Sequence, residues 1–390
     1  MKKKLLTLLL ALSLLLCGCA ETLPAESTVS DGGLTVQFID VGQADCALLE
    51  CDGQFLLIDG GNRDDSQLVV SYLEQQGVQE LEAVVCTHAH EDHVGGLPAV
   101  LAVYPTKAVY APTKTYSSNI FDKFVYYTDQ QGLEITIPAP GDQFSLGQAE
   151  VTVLGPVKSY AEANNTSIVL QVNYGETTFL FTGDMETEAE NDMLDYWGEQ
   201  FDWQADVLKV GHHCSNTSTG YRFLNEVIPS YAVISVGTDN SYGHPHKEPM
   251  SRLQQAGVTI LRTDQLGTIQ AVSDGKEVTF TWSNQSNLPE NAEAAEQIFI
   301  GNKNSKKFHA PDCKNLPAEK NSIEFSSYQD AIDAGYDPCG SCLGKSKMSF
   351  RASAHTGVGI PFGLRNRSLN RGDCHTSDIG HWFAMTSFIF

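Results

Sequence analysis

The sequence predicts a layered α/β protein, and three observations carry that prediction. Short apolar strand patterns with tight turns come first, strand and helix patterns alternate after them, and 42% of the 390 residues are apolar against 19% charged. That composition supports a sizeable core and argues against wholesale disorder. The one long apolar run lies at the extreme N-terminus, so a multi-span membrane protein is excluded.

The elements follow in order. Residues 35–42 (TVQFIDVG), 46–51 (CALLEC) and 54–61 (QFLLIDGG) read as three strands. A helix over 65–77, a buried strand at 81–88 (LEAVVCTH), a helix over 93–103, a strand at 108–112 and a helix over 117–131 come next. Strands return at 151–155, 167–175 and 177–184. Helices over 186–197, 219–228 and 247–256 then alternate with strands at 205–211, 231–237 and 258–264, and a hairpin over 268–282 closes the domain at residue 283. Residues 284–296, rich in Asn, Pro and Glu, read as a linker, and 297–344 as a small compact unit. Residues 345–390 hold six lysines and arginines against two aspartates and lack apolar periodicity. They read either as a basic arm or as unstructured sequence, and the scattered charges favour the latter.

Lys and Arg number 25 against 48 Asp and Glu, a net charge of −23. Such a chain has no global electrostatic footprint for nucleic acid, so a nucleic-acid partner needs a local patch or a metal. Ten cysteines are about average for this length and do not make a disulfide scaffold.

The N-terminus reads as an address. Lys2 to Lys4 form a positive region, Leu5 to Leu16 an apolar one too short to span a bilayer, and Leu16-Cys17-Gly18-Cys19 follows. This resembles the lipobox of bacterial lipoproteins. The resemblance implies removal of residues 1–18 and a lipid on Cys19, with residues 19–33 as a tether. The expected mature chain has no transmembrane helix and sits on the extracytoplasmic face of a cell membrane.

The strongest signal is Thr87-His88-Ala89-His90-Glu91-Asp92-His93, directly after an apolar strand. His88 and His90 can point to one side of a strand-end loop, while Asp92 and His93 begin a helix and reach a second point. That spacing suits two metal ions about 3.5–4 Å apart. Histidine with carboxylate favours Zn, Mn or Fe over Ca or Mg.

This segment resembles the signature of the metallo-β-lactamase-fold superfamily, which implies a four-layer αββα fold. Leu57-Ile58-Asp59-Gly60-Gly61 resembles the motif whose aspartate supports the histidine loop, and Phe181-Thr182-Gly183-Asp184 the motif whose aspartate bridges both metals. The segments 38–45 (FIDVGQAD), 205–215 (ADVLKVGHHCS) and 240–245 (NSYGHP) narrow the likeness to the C-terminal domain of the competence protein ComEC. It covers about residues 34–283; the channel portion of ComEC is absent.

The resemblance implies a metal-dependent, Mn- or Zn-using nuclease with one or two ions. His88 and His90 would bind one metal, Asp92 and His93 the other, and Asp184 would bridge. His213 or His212, and His244, would complete the site; the sequence does not choose between 212 and 213. His246, after a proline, reads as solvent-exposed. Two departures stand out. Where most of the superfamily has a histidine ligand, this chain has 163–167 (ANNTS), so the first metal can be weakly held. Cys214 replaces a usual glycine and reads as a soft ligand or a small buried residue; Cys46, Cys51 and Cys86 read as core. In the expected mechanism a metal-bound water supplies hydroxide, Asp92 or Asp184 orients it, and Lys209, His213 or His244 stabilises charge or protonates the leaving oxygen. Nothing here selects DNA over another phosphodiester, a lactone or a phosphocholine ester. A non-catalytic DNA-binding lipoprotein is the alternative outside enzymes.

In the small unit, His309 and Cys313 are followed by Cys339 and Cys342. Four His-Cys₃ ligands make a closed structural zinc site, and a unit with so little core needs such a staple. Two disulfides or free thiols are the other reading. Residues 325–328 (FSSY) and 331–339 (AIDAGYDPC) resemble the N-terminal metal-binding domain of the Ada DNA-repair protein. His309 stands where that family has its methyl-accepting cysteine, and a zinc-bound imidazole lacks the nucleophilic thiolate. The expectation is a structural or DNA-binding module without methyl transfer.

Overall fold

The structure is a computed structural model that describes residues 32–287 and 298–343 apart from 312 and 327. The signal segment 1–18, Cys19, most of the tether, most of the linker and the 345–390 tail therefore lie outside the described residues.

Nineteen strands are described. They are β1 (Leu34–Phe38), β2 (Ala47–Cys51), β3 (Gln54–Ile58), β4 (Leu81–Val85), β5 (Thr106–Tyr110), β6 (Ile135–Thr136), β7 (Gln143–Leu146), β8 (Ala149–Gly155), β9 (Val169–Tyr174) and β10 (Thr177–Phe181). There follow β11 (Val207–Lys209), β12 (Tyr231–Ile234), β13 (Thr259–Arg262), β14 (Ile269–Ser273), β15 (Val278–Trp282), β16 (Phe299–Asn302), β17 (Lys307–His309), β18 (Ser322–Phe325) and β19 (Asp337–Pro338). The first large sheet runs β15-β14-β1-β2-β3-β4-β5-β6 and the second β13-β12-β11-β10-β9-β8-β7. Side chains of both sheets, among them Val36, Leu49, Val85, Val153, Phe179 and Val233, form one central core. The helices Ser66–Gln75, Leu97–Val103 and Asn119–Gln130 cover the outer face of the first sheet. Thr187–Trp197, Tyr221–Val227 and Lys247–Gln255 cover the second. The layering is αββα. Strands buried on both faces read as continuous apolar runs, which is why β4, β9 and β10 are visible in the sequence.

The expected helix over 93–103 is two pieces, Glu91–Val94 and Leu97–Val103, interrupted at Gly95-Gly96. The interruption comes from backbone packed on backbone. A Cβ on Gly96 would sit 2.2 Å from the Gly60 carbonyl oxygen, and one on Gly95 2.3 Å from the Arg63 nitrogen. The Asp59 loop and the histidine loop thus lock together, and Gly60 N donates to the His93 carbonyl at 2.7 Å. Strands β6 and β7 were not expected; they are edge pieces of only two and four residues.

The small unit is a four-stranded sheet, β18-β16-β17-β19, with the helix Tyr328–Asp333. Its core of Phe299, Phe308, Ala310, Phe325, Ala331, Tyr336 and Leu343 includes Tyr221 of the large domain. Asn225 Nδ2 donates to the Leu343 carbonyl at 2.7 Å. The first residues of the expected linker are also tied down: Asn284 N donates to the Leu266 carbonyl, and Trp282 Nε1 to that of Asn287. No helix among the described residues is long and apolar enough to cross a membrane.

Candidate metal centre

The site forms where the two large sheets end side by side. After β4 the chain turns through His88 and His90 into the short helix that carries Asp92 and His93. After β10 it turns through Gly183 to Asp184, and after β11 through Gly211 to His212 and His213. His212, His213 and Cys214 have φ of 49°, 51° and 66°. Three successive side-chain-bearing residues in the left-handed region are strained, and such strain is held where a site needs it. Here it swings both imidazoles inward.

Asp184 lies at the centre. Its Oδ2 is 3.9 Å from His88 Nε2 and 3.8 Å from both His212 Nε2 and His213 Nε2. Its Oδ1 is 3.3 Å from His93 Nε2. Asp92 Oδ2 lies 3.3 Å from His213 Nε2 and 3.9 Å from His93 Nε2. Atoms of Asp92, His93, Asp184 and His213 all fall within 4.8 Å of one another. His90 is half-buried, with its ring 4.7 Å from that of His88.

The surroundings fix which nitrogen of each ring faces inward. His93 Nδ1–H donates to Asp59 Oδ2 at 2.8 Å, and His213 Nδ1–H to the Ser235 carbonyl at 2.9 Å. The Thr217 hydroxyl donates to Glu186, so its oxygen accepts from His212 Nδ1–H at 3.1 Å. All three rings are left with an Nε2 lone pair aimed at Asp184. This is how metal-binding histidines are oriented by their outer partners. Buried His88 Nε2, His93 Nε2 and Asp184 Oδ1 have no hydrogen-bond partner. Orphaned buried atoms that converge on one point fit a divalent cation. Both His212 and His213 are thus brought to the site, and the sequence alone had left that choice open.

Asp59, buried, accepts from Thr87 N and from the Thr87 hydroxyl, both at 2.7 Å, as well as from His93. It supports the histidine loop from behind. Burial raises the Asp59 carboxyl despite its His93 partner. At the centre the charges win over burial. Against its own burial, Asp92 is held at about 2 by His93 and His213, and Asp184 lies well below the usual range for the same reason. Burial opposes charge on His213, yet Asp184 and Asp45 raise it to about 10; His93 is raised likewise by Asp184 and Asp59. His88, with burial dominant, is pushed well down. The carboxylates therefore draw cations, and protons occupy His93 and His213 where a metal is absent.

Two sequence expectations, for Lys209 and His246, are corrected, and the places of Cys214 and Asn164 are fixed. Lys209 does not face the cleft: its buried ammonium lies 2.7 Å from Asp45 Oδ2 and 3.2 Å from the Val210 carbonyl. Asp45 Oδ1 in turn stands 3.3 Å from His213 Nδ1. Lys209 thus holds a support of His213 rather than meeting developing charge. His246 is half-buried and accepts the Asn216 N–H on Nδ1 at 2.9 Å, so it is not a free surface ring. Cys214 is fully buried in the core of the second sheet. Asn164, in the place where a histidine was missing, reaches His212: its Nδ2 lies 3.5 Å from His212 Nε2 and donates to Glu186 at 3.2 Å, leaving a buried Oδ1 without a partner.

His244 stands beside the cluster, its ring 5.5 Å from His212 and 6.1 Å from His213. Gly237 N donates to Gln43 Oε1, so Gln43 Nε2 is the donor to His244 Nδ1 at 3.2 Å. The His244 proton then sits on Nε2. Burial and the charge of His213 hold this ring down to about 4, so it is neutral at pH 7. Gln43, Asp45, Thr87, Glu186, Thr217 and Ser235 were missed as site residues. Gln43, Asp45 and Thr87 lay inside motifs quoted for the resemblance; Glu186, Thr217 and Ser235 are ordinary polar residues placed by tertiary contact.

In the small unit, ligand atoms of His309, Cys313, Cys339 and Cys342 lie within 4.8 Å of one another. Cys339 is drawn below the usual thiol range against its burial by the Ser341 and Cys342 N–H groups. The set fits a tetrahedral zinc site. Between this unit and the large domain lies a cavity of about 670 Å³ bordered by Glu186, Thr217, Arg252, Lys314 and Cys342.

An αββα layering with histidines and aspartates converging at the strand ends defines a metal-dependent hydrolase. Residues 39–238 match the metallo-beta-lactamase superfamily, and the chain belongs to that superfamily. Residues 284–344 match the metal-binding domain of Ada. The chain is 31% identical to ComE operon protein 3 of Bacillus subtilis (strain 168) over 63% of its own length and 34% of that protein's. It is 30% identical to the competence protein ComA of Neisseria gonorrhoeae over 66% of its length and 34% of that protein's. It thus spans about a third of these relatives. Among solved structures, the metallo-beta-lactamase fold protein YhfI of Bacillus subtilis aligns over 64% of this chain and 100% of its own at 15% identity, with a TM-score of 0.43.

Proposed function

We propose that the protein is a metal-dependent phosphodiesterase that degrades DNA, held by a lipid on Cys19 at the extracytoplasmic face of a bacterial cell membrane. The observation that carries the reading is the convergence of His88, His93, His212 and His213 on Asp184, with Asp92 beside them and 28% exposed toward solvent. The competence relatives support DNA as the substrate, and the lipobox-like segment supports the anchor. His88, His90, Asp184 and His212 would hold one ion, and Asp92, His93, Asp184 and His213 a second.

A divalent ion held there would supply a nucleophilic water near neutral pH and polarise a phosphoryl oxygen. The protein's own groups do the rest. Asp92, the most open carboxylate of the set, orients the attacking water. His244 Nε2–H is a neutral donor for the charge that develops on the phosphoryl or leaving oxygen. Lys209 and Asp45 keep His213 in its tautomer. Asn164, where a histidine is usual, turns its Nδ2 toward His212 Nε2 and Glu186 and packs against that side of the site. In the small unit zinc is structural, and His309 rules out methyl transfer.

The test uses the soluble chain from residue 20 with end-labelled single-stranded DNA, Mn or Zn, and an Asp92→Ala control. Degradation by the wild type with loss of about 10³-fold or more in the control is expected. No degradation by a metal-loaded wild type would overturn the nuclease reading and turn attention to small esters or to DNA binding without turnover.

A further inference from the structure

Two tyrosines stand at the ends of a row of rings that crosses the metal centre. Tyr116 lies 6.3 Å from His90, whose ring lies 4.7 Å from His88. The row continues through the cluster to His244, on which Tyr242 stacks at 5.7 Å and 19°. Both tyrosines are exposed, Tyr116 by 37% and Tyr242 by 66%.

A single exposed tyrosine needs no explanation. These two differ in being held in place. Asn240 pins the Tyr242 loop: its Oδ1 accepts from Tyr242 N and His244 N, and its Nδ2 donates to the Gly237 and His244 carbonyls. Tyr116 sits edge-on to buried Phe121 at 6.0 Å, and its carbonyl accepts from Ser118 N at 2.8 Å. The protein thus keeps two large π faces in water, each against a histidine of the site. Tyr242 is covered on one side by His244 and open on the other.

We propose that Tyr116 and Tyr242 are stacking platforms for nucleobases of one bound strand on opposite sides of the metal centre. The proposal rests on the phosphodiesterase reading above and adds how a substrate strand is gripped. A chain of net charge −23 repels a polyanion at long range. Stacking does not depend on that charge, and every base offers a π face, so the grip is tolerant of sequence. The metal centre then takes the phosphate while the tyrosines take bases further along the strand in each direction.

The experiment compares an oligothymidylate with its abasic counterpart, which has the same phosphates and no bases. KM and kcat are measured for the wild type, Tyr116→Ala, Tyr242→Ala and the Phe and Trp replacements at both positions, with thermal melting as the folding control. The wild type is expected to favour the base-bearing strand through KM. Each alanine should raise that KM about tenfold, and Phe or Trp should restore it. An equal preference in wild type and alanine variants, or none in the wild type, overturns the platforms and leaves the nuclease reading intact. If the metal-loaded wild type neither cleaves nor binds either strand, measured by fluorescence anisotropy, both readings fall.

Discussion

The two metal-binding regions of this chain are built by opposite logics. In the large domain, three apolar clusters are complete before any ion is considered, and the ligands project from the ends of finished sheets. In the small unit, a handful of buried side chains share one cluster with Tyr221, and four ligands stand in for the missing core. On the proposed reading, an ion in the first serves chemistry and an ion in the second serves folding. Donor type follows the same division. The catalytic candidate offers carboxylates and imidazoles with Asp92 partly open to solvent, and the other offers three thiols and an imidazole in a closed set.

The sharpest way to break this contrast is to take the staple away. Cys339→Ser should unfold the small unit, since structural zinc contributes about 10–16 kcal/mol to comparable modules. Hydrogen exchange over residues 299–343 should lose its protection while β1 to β5 keep theirs. Equal loss in both regions would mean that the chain folds as one cooperative unit, and the contrast would fail.

The second prediction concerns pH. Without metal, His213 holds its proton up to about 10, because Asp184 and Asp45 outweigh its burial. A metal ion must displace that proton from Nε2 to bind. Affinity at the large site should therefore rise with pH, by about tenfold per unit for each proton displaced, and should weaken as acid restores the proton. Calorimetry of Mn binding in two buffers of different ionisation heat counts the protons released. A pH-independent affinity between 6.5 and 9 would show that the carboxylates alone hold the ion.

The parts of the molecule that were legible in the sequence are those with local spacing. His88, His90, Asp92 and His93 fall within six residues of one another after an apolar strand, so their convergence needs no tertiary knowledge. Buried strands such as β4 and β10 announce themselves by apolar runs. What stayed hidden depends on long-range placement. Asn164 meets His212 across 48 residues, and Gln43 meets His244 across 201. Lys209 was expected to stabilise charge in the cleft, and only the fold reveals Asp45 against its ammonium. The choice between His212 and His213 could not be made because both sit in left-handed backbone that no helix or strand periodicity describes.

The last prediction tests whether the two regions speak to each other. Asn225 and Tyr221 lie on the helix Tyr221–Val227, which packs on the second sheet. From its other side Asn225 Nδ2 donates to the Leu343 carbonyl, immediately after the zinc ligand Cys342, and Tyr221 enters the small unit's core 5.6 Å from Phe299. Asn225→Ala leaves that buried carbonyl without its donor, a loss of about 1–3 kcal/mol. Were the small unit a bystander, the loss would appear only as faster exchange near Leu343. Yet the loop just before this helix carries Thr217, whose hydroxyl sets the His212 tautomer, and Thr219 and Gly220, whose N–H groups meet buried Glu190. A helix loosened at one end transmits to that loop. The variant should therefore also weaken metal binding slightly, by about two- to threefold, whereas a surface substitution at Lys320 should change neither. Weakened exchange protection with unaltered metal affinity would separate the two regions and leave the zinc unit as a docked but silent neighbour.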